Sequence, residues 1–123
     1  MANIGGNING VIQTRTTLLD ETGRVVKNAI GESENAWAEA FQQIGWLGLQ
    51  SGGKSRDKFL AKIEESTHVF LCDYHPGIYA LADQDTRLIA KGVVYDILLI
   101  DNPDEMDEQL EIYLKRVGAW DGK

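Results

Sequence analysis

The stretch from Ser66 to Gly118 is the feature that most constrains how this chain can fold. It contains several runs rich in β-branched and aromatic residues, which suit a pleated, half-buried surface. A Lys91-Gly92 pair and an Asp101-Asn102-Pro103 break separate the later runs, as turns and proline breaks separate strands. The stretch therefore predicts antiparallel β-structure, and it carries no convergent set of catalytic residues.

The first run predicts a strand at Thr67–Tyr74, which stops before a Pro-Gly pair. Residues 76–85 follow, and they mix turn-forming and apolar residues. We expect them to form a long loop that exposes the apolar side chains of Ile78, Tyr79 and Leu81.

The next two runs, Arg87–Ala90 and Val93–Ile100, predict a hairpin around the Lys91-Gly92 turn. Val93–Ile100 is apolar at every position except Asp96, which is typical of a strand covered on both faces. Another subunit is one possible second cover. The last run, Gln109–Val117, alternates apolar and polar residues and predicts a half-buried antiparallel strand.

The first half of the chain gives weaker signals. Val11–Leu19 predicts a strand, and Arg24–Val26 looks like its return strand across a turn. Residues 28–35 predict an exposed loop, and Ser55–Lys62 predicts one or two helical turns.

The segment around Trp37 is ambiguous. Trp37, Phe41 and Ile44 have the spacing of one helix face. Gly45–Leu49 nevertheless has the composition of a strand, and a strand that ends near Trp37 is equally compatible with the sequence.

Length and charge limit the kind of protein further. At 123 residues the chain has room for one domain with one core. Its net charge of −7 disfavours ordinary binding to phosphate backbones. No apolar run is long enough to cross a membrane, and the N-terminus lacks the pattern of a signal peptide. The single cysteine, Cys72, excludes an internal disulfide and fits a reducing compartment such as a cytoplasm.

These patterns predict a mainly β fold. We expect a small β-barrel of about six to eight mostly antiparallel strands, with long loops and at most one short helix; a sandwich is the alternative. The domain occupies residues 11–118, after a flexible N-terminal segment at 1–10 and before a C-terminal tail at 119–123.

His68, Cys72, Asp73 and His75 come nearest to a metal site. On a strand, however, His68 and Cys72 share one face while Asp73 and His75 point to the other. Four ligands cannot converge from this segment, as tetrahedral zinc requires. We predict no metal and no cofactor.

The candidate catalytic residues also lack the arrangement that catalysis needs. Cys72 and the histidines lack a local nucleophile signature. The carboxylate pairs Asp101 with Asp104 and Glu108 with Glu111 have no cleft around them to shift their pKa values. The Gly52–Ser55 segment does not fit the phosphate-binding loop pattern. We therefore do not expect an enzyme.

Three segments of this stretch resemble small tailed-phage proteins known as head closure (stopper) or head–tail adaptor (head–tail joining) proteins. They are residues 66–74, 91–103 and 108–118. The resemblance covers roughly residues 66–118 and is weaker at Gly45–Leu47.

The resemblance implies a small β-barrel that assembles as a ring, typically a dodecamer, below the portal and its adaptor. The ring closes the DNA-filled head and provides the surface to which the tail docks, while DNA passes through its channel without sequence-specific binding. The protein is then a virion component of the neck, present in the host cytoplasm during assembly. A monomer is one of the states open to the isolated protein. A tail-completion or tail-terminator ring protein and a small binding domain unrelated to phages are the alternatives.

Two groups of residues are candidates for this function. By analogy, the loop at 76–86 is the candidate channel gate, with Ile78, Tyr79, Ala80, Leu81, Ala82 and Asp83. The candidate docking or channel surface consists of Asp101, Asp104, Glu105, Asp107, Glu108 and Trp120.

Overall fold

The structure is a computed structural model, and it describes residues 4–17, 21–27, 35–49 and 65–122. The elements are β1 (Ile8–Thr17), β2 (Asn35–Leu49), β3 (His68–Asp73), α1 (Pro76–Tyr79), β4 (Thr86–Ala90), β5 (Val93–Asp101), a 3-10 turn (Pro103–Glu105) and β6 (Gln109–Ala119). The helical turns predicted at Ser55–Lys62 and the loop predicted at 28–35, apart from Asn35 in β2, lie outside the described residues. No helix in the described ranges is long and apolar enough to cross a membrane.

The strands close into one antiparallel barrel in the order β1-β2-β3-β6-β5-β4. The contact between β1 and β4 completes the circle, with Val11 opposite Ile89. Closure gives strands a partner on each side, which removes the exposed edges of an open sheet. The predicted mainly β barrel is confirmed, with a strand number at the lower end of the expected range.

The barrel interior is filled by alternate residues of the strands, as the two-residue period of a strand requires. In β6, Leu110, Ile112 and Leu114 are fully buried, whereas Lys115 is exposed. The other fully buried side chains are Ile12, Phe70, Cys72, Ile78 and Leu88. The alternation predicted for Gln109–Val117 is therefore confirmed.

Two glycines make room for the largest core side chain, Phe70. A Cβ on Gly45 would lie 2.6 Å from Cζ of Phe70 and 2.5 Å from the carbonyl oxygen of Leu71. A Cβ on Gly10 would lie 3.2 Å from Cζ of Phe70. The Phe70 ring thus crosses the interior from β3 and reaches the backbones of β1 and β2.

The segment around Trp37 is a strand rather than a helix. Residues 35–45 pair with β1, and residues 45–49 pair with β3. Phe41 packs against the core, whereas Ile44 has 56% of its surface exposed, so the two do not share a face. Hydrogen bonding to two neighbouring strands outweighs the helical spacing of the apolar residues.

The hairpin predicted between Val11–Leu19 and Arg24–Val26 falls partly outside the described residues, because Leu18 and Leu19 are not among them. Within the described residues, β1 pairs with β2 and β4, and Val25 and Lys27 form isolated bridges. The hairpin stays a prediction.

The hairpin of β4 and β5 is as predicted. Lys91 and Gly92 have φ values of 51° and 73°, the left-handed conformations that a tight two-residue hairpin turn needs. Val94 and Tyr95 are neighbours and point to opposite faces, and both are buried. β5 is therefore covered on both faces here within a single chain. The pairing of β5 with β6 shifts in register between Val94 and Tyr95 and again between Ile97 and Leu99, so buried and exposed residues do not alternate regularly along β5.

The outer strands extend a little beyond residues 11–118 at both ends. β1 begins at Ile8, inside the segment predicted to be flexible. The backbone of Asn7 already donates a hydrogen bond to the carbonyl of Gly45 at 3.0 Å. At the other end, β6 continues to Ala119, and the N–H of Trp120 donates to the carbonyl of Gly92 at 2.8 Å.

Substitution of Gly45 by alanine tests the packing around Phe70. We expect Gly45→Ala to lower the free energy of unfolding by about 1–3 kcal/mol, because the new methyl group overlaps the Phe70 ring and the Leu71 carbonyl. Urea denaturation measures this change. Gly48→Ala in the same strand is the control, since a Cβ there meets nothing within 4 Å, and its effect should stay within about 0.5 kcal/mol. Equal effects of the two substitutions would contradict the role assigned to Gly45.

Candidate docking surfaces

The order of the strands brings two described loops to one end of the barrel. Because all neighbours are antiparallel, the C-terminal ends of β3 and β5 lie at the same end as the N-terminal ends of β4 and β6. The loops at 74–85 and 102–108 connect these strands, and the N–H of Tyr74 donates to the carbonyl of Glu108 at 3.2 Å. We call these two loops the acidic end, because neither contains a lysine or arginine. Arg15 of β1 borders them, since its backbone N–H donates to the carbonyl of Asp85 at 3.1 Å.

The loop at 102–108 is built around Asn102, which is buried. Its side-chain Nδ2 donates to Oδ1 of Asp107 at 2.7 Å, and its Oδ1 accepts from the backbone N–H of Asp107 at 3.1 Å. Asp104, Glu105 and Asp107 have φ values between 52° and 56°, in the left-handed region. This tight loop leaves Asp104, Glu105, Met106 and Glu108 exposed.

A pair of carboxylates lies on the barrel wall directly beside this loop. Asp101 in β5 is opposite Glu111 in β6, and both point outward and are half-buried. Burial, together with the negative charges of Glu111 and Asp104, raises the pKa of Asp101 above its ordinary value. The Tyr113 hydroxyl donates to Oε2 of Glu111 at 2.8 Å, and burial and this hydrogen bond raise the pKa of Tyr113. The acidic residues predicted to form one surface thus lie together, with Asp107 partly engaged by Asn102.

The candidate gate differs from its prediction. Residues 76–79 form the short helix α1, and Nδ1 of His75 accepts hydrogen bonds from the N–H groups of Gly77 and Ile78, at 3.0 and 3.3 Å. Ile78 is fully buried and Leu81 nearly so, since both belong to the core. The expectation that they are exposed is wrong, because the helix closes this end of the barrel with its apolar side.

The remaining candidate gate residues are more accessible. Ala80, Ala82 and Asp83 are exposed, and Tyr79 is half-buried with its ring 6.4 Å from that of Tyr74. The exposed part of the segment is therefore small and partly acidic.

The opposite end of the barrel has a different charge. The Lys91-Gly92 turn lies there, with Lys115 and Arg116 in the last part of β6. Trp120 lies beside this turn and has 41% of its surface exposed. The structure therefore places Trp120 at the other end of the barrel from the acidic residues. The residues predicted to form one docking surface lie at two separate ends.

An apolar patch on the outer wall was missed by sequence reasoning. Ile44 and Trp46 in β2 point outward, with 56% and 46% of their surfaces exposed. Leu71 lies opposite Trp46 in β3 and is half-buried. The alternation of a strand would have shown these positions, but only after the segment was known to be a strand.

The residues considered for metal binding have other roles. Cys72 lies in the core, and burial followed by the charge of Asp73 raises the pKa of its thiol to about 12. His75 caps α1, and the ring of His68 lies 4.9 Å from that of Tyr95. Within the described ranges, no group of His, Cys, Asp and Glu side chains is arranged to hold a metal ion.

A cavity of about 330 Å³ opens between β1, β2, β4 and β5. Its lining is Arg15, Trp37, Gln84, Asp85, Thr86, Asp96, Ile97 and Leu98. Beside it, the Arg87 guanidinium lies 4.4 Å above the Trp37 ring, and its Nε donates to Oε1 of Gln13 at 2.7 Å. The mixed charges of this lining form no catalytic arrangement.

These features define a class of protein: a small acidic β-barrel whose prominent surfaces are two acidic loops and an apolar patch on the outer wall. The phage head completion protein family matches residues 9–117, and the chain belongs to this family. A search of curated proteins found no match. The resemblance to head closure and head–tail joining proteins is thereby confirmed, and the chain is a structural phage protein with a role in head completion and a place in the virion.

Substitution of Ile78 tests whether α1 closes the barrel. Ile78→Ala should lower the free energy of unfolding by about 2–5 kcal/mol, because it leaves a cavity in the core. Ala82→Ser in the same loop is exposed, and its effect should stay within about 0.5 kcal/mol. A small effect of Ile78→Ala in chemical denaturation would show that α1 is only loosely attached.

Substitution of Asp101 tests the carboxylate pair. Since the folded state raises the pKa of Asp101, its ionised form destabilises the fold above that pKa, and this cost disappears below the unfolded pKa of about 3.9. Asp101→Asn should therefore raise the free energy of unfolding at neutral pH by about 0.2–1 kcal/mol and lose this advantage in acid.

The control for this prediction is Asp96→Asn in the same strand. Asp96 is opposite Lys115, so the loss of its charge relieves no repulsion between like charges. Stability curves against pH for the two variants should diverge as pH rises; parallel curves would refute the prediction.

Proposed function

We propose that this chain forms a homo-oligomeric ring, a dodecamer as is typical of the proteins it resembles, below the portal or its adaptor. The ring closes the DNA-filled head and carries the surface to which the tail docks. The observation that carries the proposal is the acidic end, where two loops meet and neither contains a lysine or arginine. Membership of the phage head completion family supports a role at this stage of assembly.

The acidic end is suited to two tasks at a junction of rings. A surface of one charge sign steers a partner of opposite charge into place. It also repels the DNA backbone, so DNA in a neighbouring channel would not adhere to it. In a ring the charge of −7 per chain is repeated in every subunit, which strengthens both effects.

Only the exposed residues of the predicted channel gate are part of the proposal. Ile78 and Leu81 are core residues, so they do not form the plug in this conformation. In the proposal, Ala80, Ala82 and Asp83 form the part of the segment that faces the channel, and Trp120 contributes to contacts at the other end.

The outer wall supports association of subunits. Ile44 and Trp46 expose apolar surface on a barrel that already has a complete core. Exposed apolar side chains that lie together mark interaction sites more often than chance. In the proposal they lie between subunits of the ring.

A knockout examined by electron microscopy tests the place of the protein in assembly. Without it we expect free, complete tails beside heads that have lost their DNA. DNA-filled heads with defective tails would instead indicate a tail-completion or tail-terminator protein. Absence of the protein from purified virions by mass spectrometry would count against both roles.

Neutralisation of the loop at 102–108 tests the docking surface. The triple variant Asp104→Asn, Glu105→Gln and Glu108→Gln should reduce the fraction of heads that carry tails, because it removes the charge that attracts a basic partner. Electron microscopy of particles assembled with each variant measures that fraction. The control Asp104→Glu, Glu105→Asp and Glu108→Asp keeps the charge and should attach tails normally. Equal attachment with both variants would exclude this loop as the docking surface.

A further inference from the structure

The N-terminal arm, residues 4–7, lies on the outer wall of the barrel and is held at two points. The backbone N–H of Ile4 donates to Oδ1 of Asp73 at 2.7 Å. The indole Nε1 of Trp46 donates to the backbone carbonyl of Ile4 at 2.8 Å. One residue of an extended segment is thus bound through both of its backbone groups.

The two side chains that bind the arm are placed by the barrel. Trp46 is opposite Leu71 in the register of β2 and β3, and Asp73 is two residues further along β3. Diagonal neighbours of this kind lie about 7–8 Å apart on one face of a sheet. We call Trp46 and Asp73 the backbone clamp. Trp46 supplies a hydrogen-bond donor and Asp73 an acceptor, and both bonds go to the backbone of the bound residue rather than to its side chain.

The arm reaches its own clamp only through two glycines. Gly5 and Gly6 have φ values of 68° and 156°, and Gly6 lies against the backbone of Gly45. A Cβ on Gly6 would come within 2.3 Å of the Gly45 carbonyl oxygen, whereas a Cβ on Gly5 meets nothing within 4 Å. The arm therefore leaves β1 at Asn7 and turns sharply across β2, and Gly6 is the point at which this turn is possible.

We propose that in the assembled ring each backbone clamp holds the N-terminal arm of a neighbouring copy of this chain. The clamp recognises backbone only, so it binds its own arm and a neighbour's arm with the same two hydrogen bonds. Exchange of an identical segment between copies costs no contact and links the subunits. This inference rests on the proposed ring.

The ring decides which arm is bound. For an isolated chain, its own arm has an effective concentration in the millimolar range, which a free second copy does not match. A neighbour fixed in a ring has an effective concentration of the same order. Trp46 of the clamp and Ile44 beside it in β2 both expose apolar surface. A neighbouring copy whose arm binds to the clamp would also cover this surface.

Crosslinking from residue 4 tests the exchange. Chains with a photo-crosslinking amino acid in place of Ile4 are prepared with light and with heavy nitrogen. Phage particles are then assembled in an extract that lacks the natural protein and is supplied with an equal mixture of the two. We expect crosslinks that join a light peptide to a heavy peptide at β2 or β3, whereas the isolated protein gives crosslinks only within one chain.

Glycine variants make the test sharper. Gly6→Ala blocks the turn across Gly45 but not an arm that continues to a neighbour, so the crosslinks between chains in the heads should persist. Asn7→Ala is the matched control, because Asn7 is exposed and its bond to Gly45 uses only the backbone, and it should resemble the unsubstituted chain in both settings. Trp46→Phe removes the indole donor and should reduce the crosslinks several-fold. Thermal unfolding of each variant confirms that the barrel is intact.

The possible outcomes separate the exchange of arms from the proposed function. Crosslinks within single chains only, or their loss in Gly6→Ala heads, would falsify the exchange while the proposed function stands. Crosslinks to a different virion protein would assign the clamp to that partner and overturn the second copy as its occupant. Failure of the protein to enter the heads at all would refute the proposed function, and the exchange with it.

Discussion

The position of Phe70 is the constraint on which the rest of the barrel depends. Its ring crosses the interior from β3 and stops against Gly10 and Gly45, where no side chain would fit. Backbone hydrogen bonds fix the spacing of β1, β2 and β3, so the ring fits only where Gly10 and Gly45 carry no Cβ. On the outer side, Gly6 of the N-terminal arm lies against the backbone of the same Gly45, so the interior and the outer wall meet at one residue.

Closure of the barrel end explains why the loop at 74–85 is ordered. A loop that only connected two strands would expose its apolar residues to water, but Ile78 and Leu81 complete the core instead. His75 makes this possible because its ring satisfies the first two N–H groups of α1 and lies 4.8 Å from the ring of Phe41. The polar and acidic residues of the loop are then left on the outside, beside those of the loop at 102–108.

The acidic end illustrates how a fold gathers charges that are scattered in sequence. The loop at 102–108 tolerates several left-handed residues because buried Asn102 holds Asp107 through two hydrogen bonds. Asp101 and Glu111 come face to face only because β5 and β6 pair with a register shift between them. The result is repulsion within the chain, since the charges of Glu111 and Asp104 raise the pKa of Asp101.

The sequence by itself determined the parts of the barrel that rest on local patterns. The alternation in β6, the Lys91-Gly92 turn and the apolar β5 are readable because strand period and turn chemistry are properties of short segments. Only the tertiary structure decided that Trp37–Ile44 is a strand, that Ile78 is buried and that Trp120 lies away from the acidic loop. Each of these depends on neighbours distant in the chain, whose backbone pairing and packing outweigh local spacing and cannot be read from it.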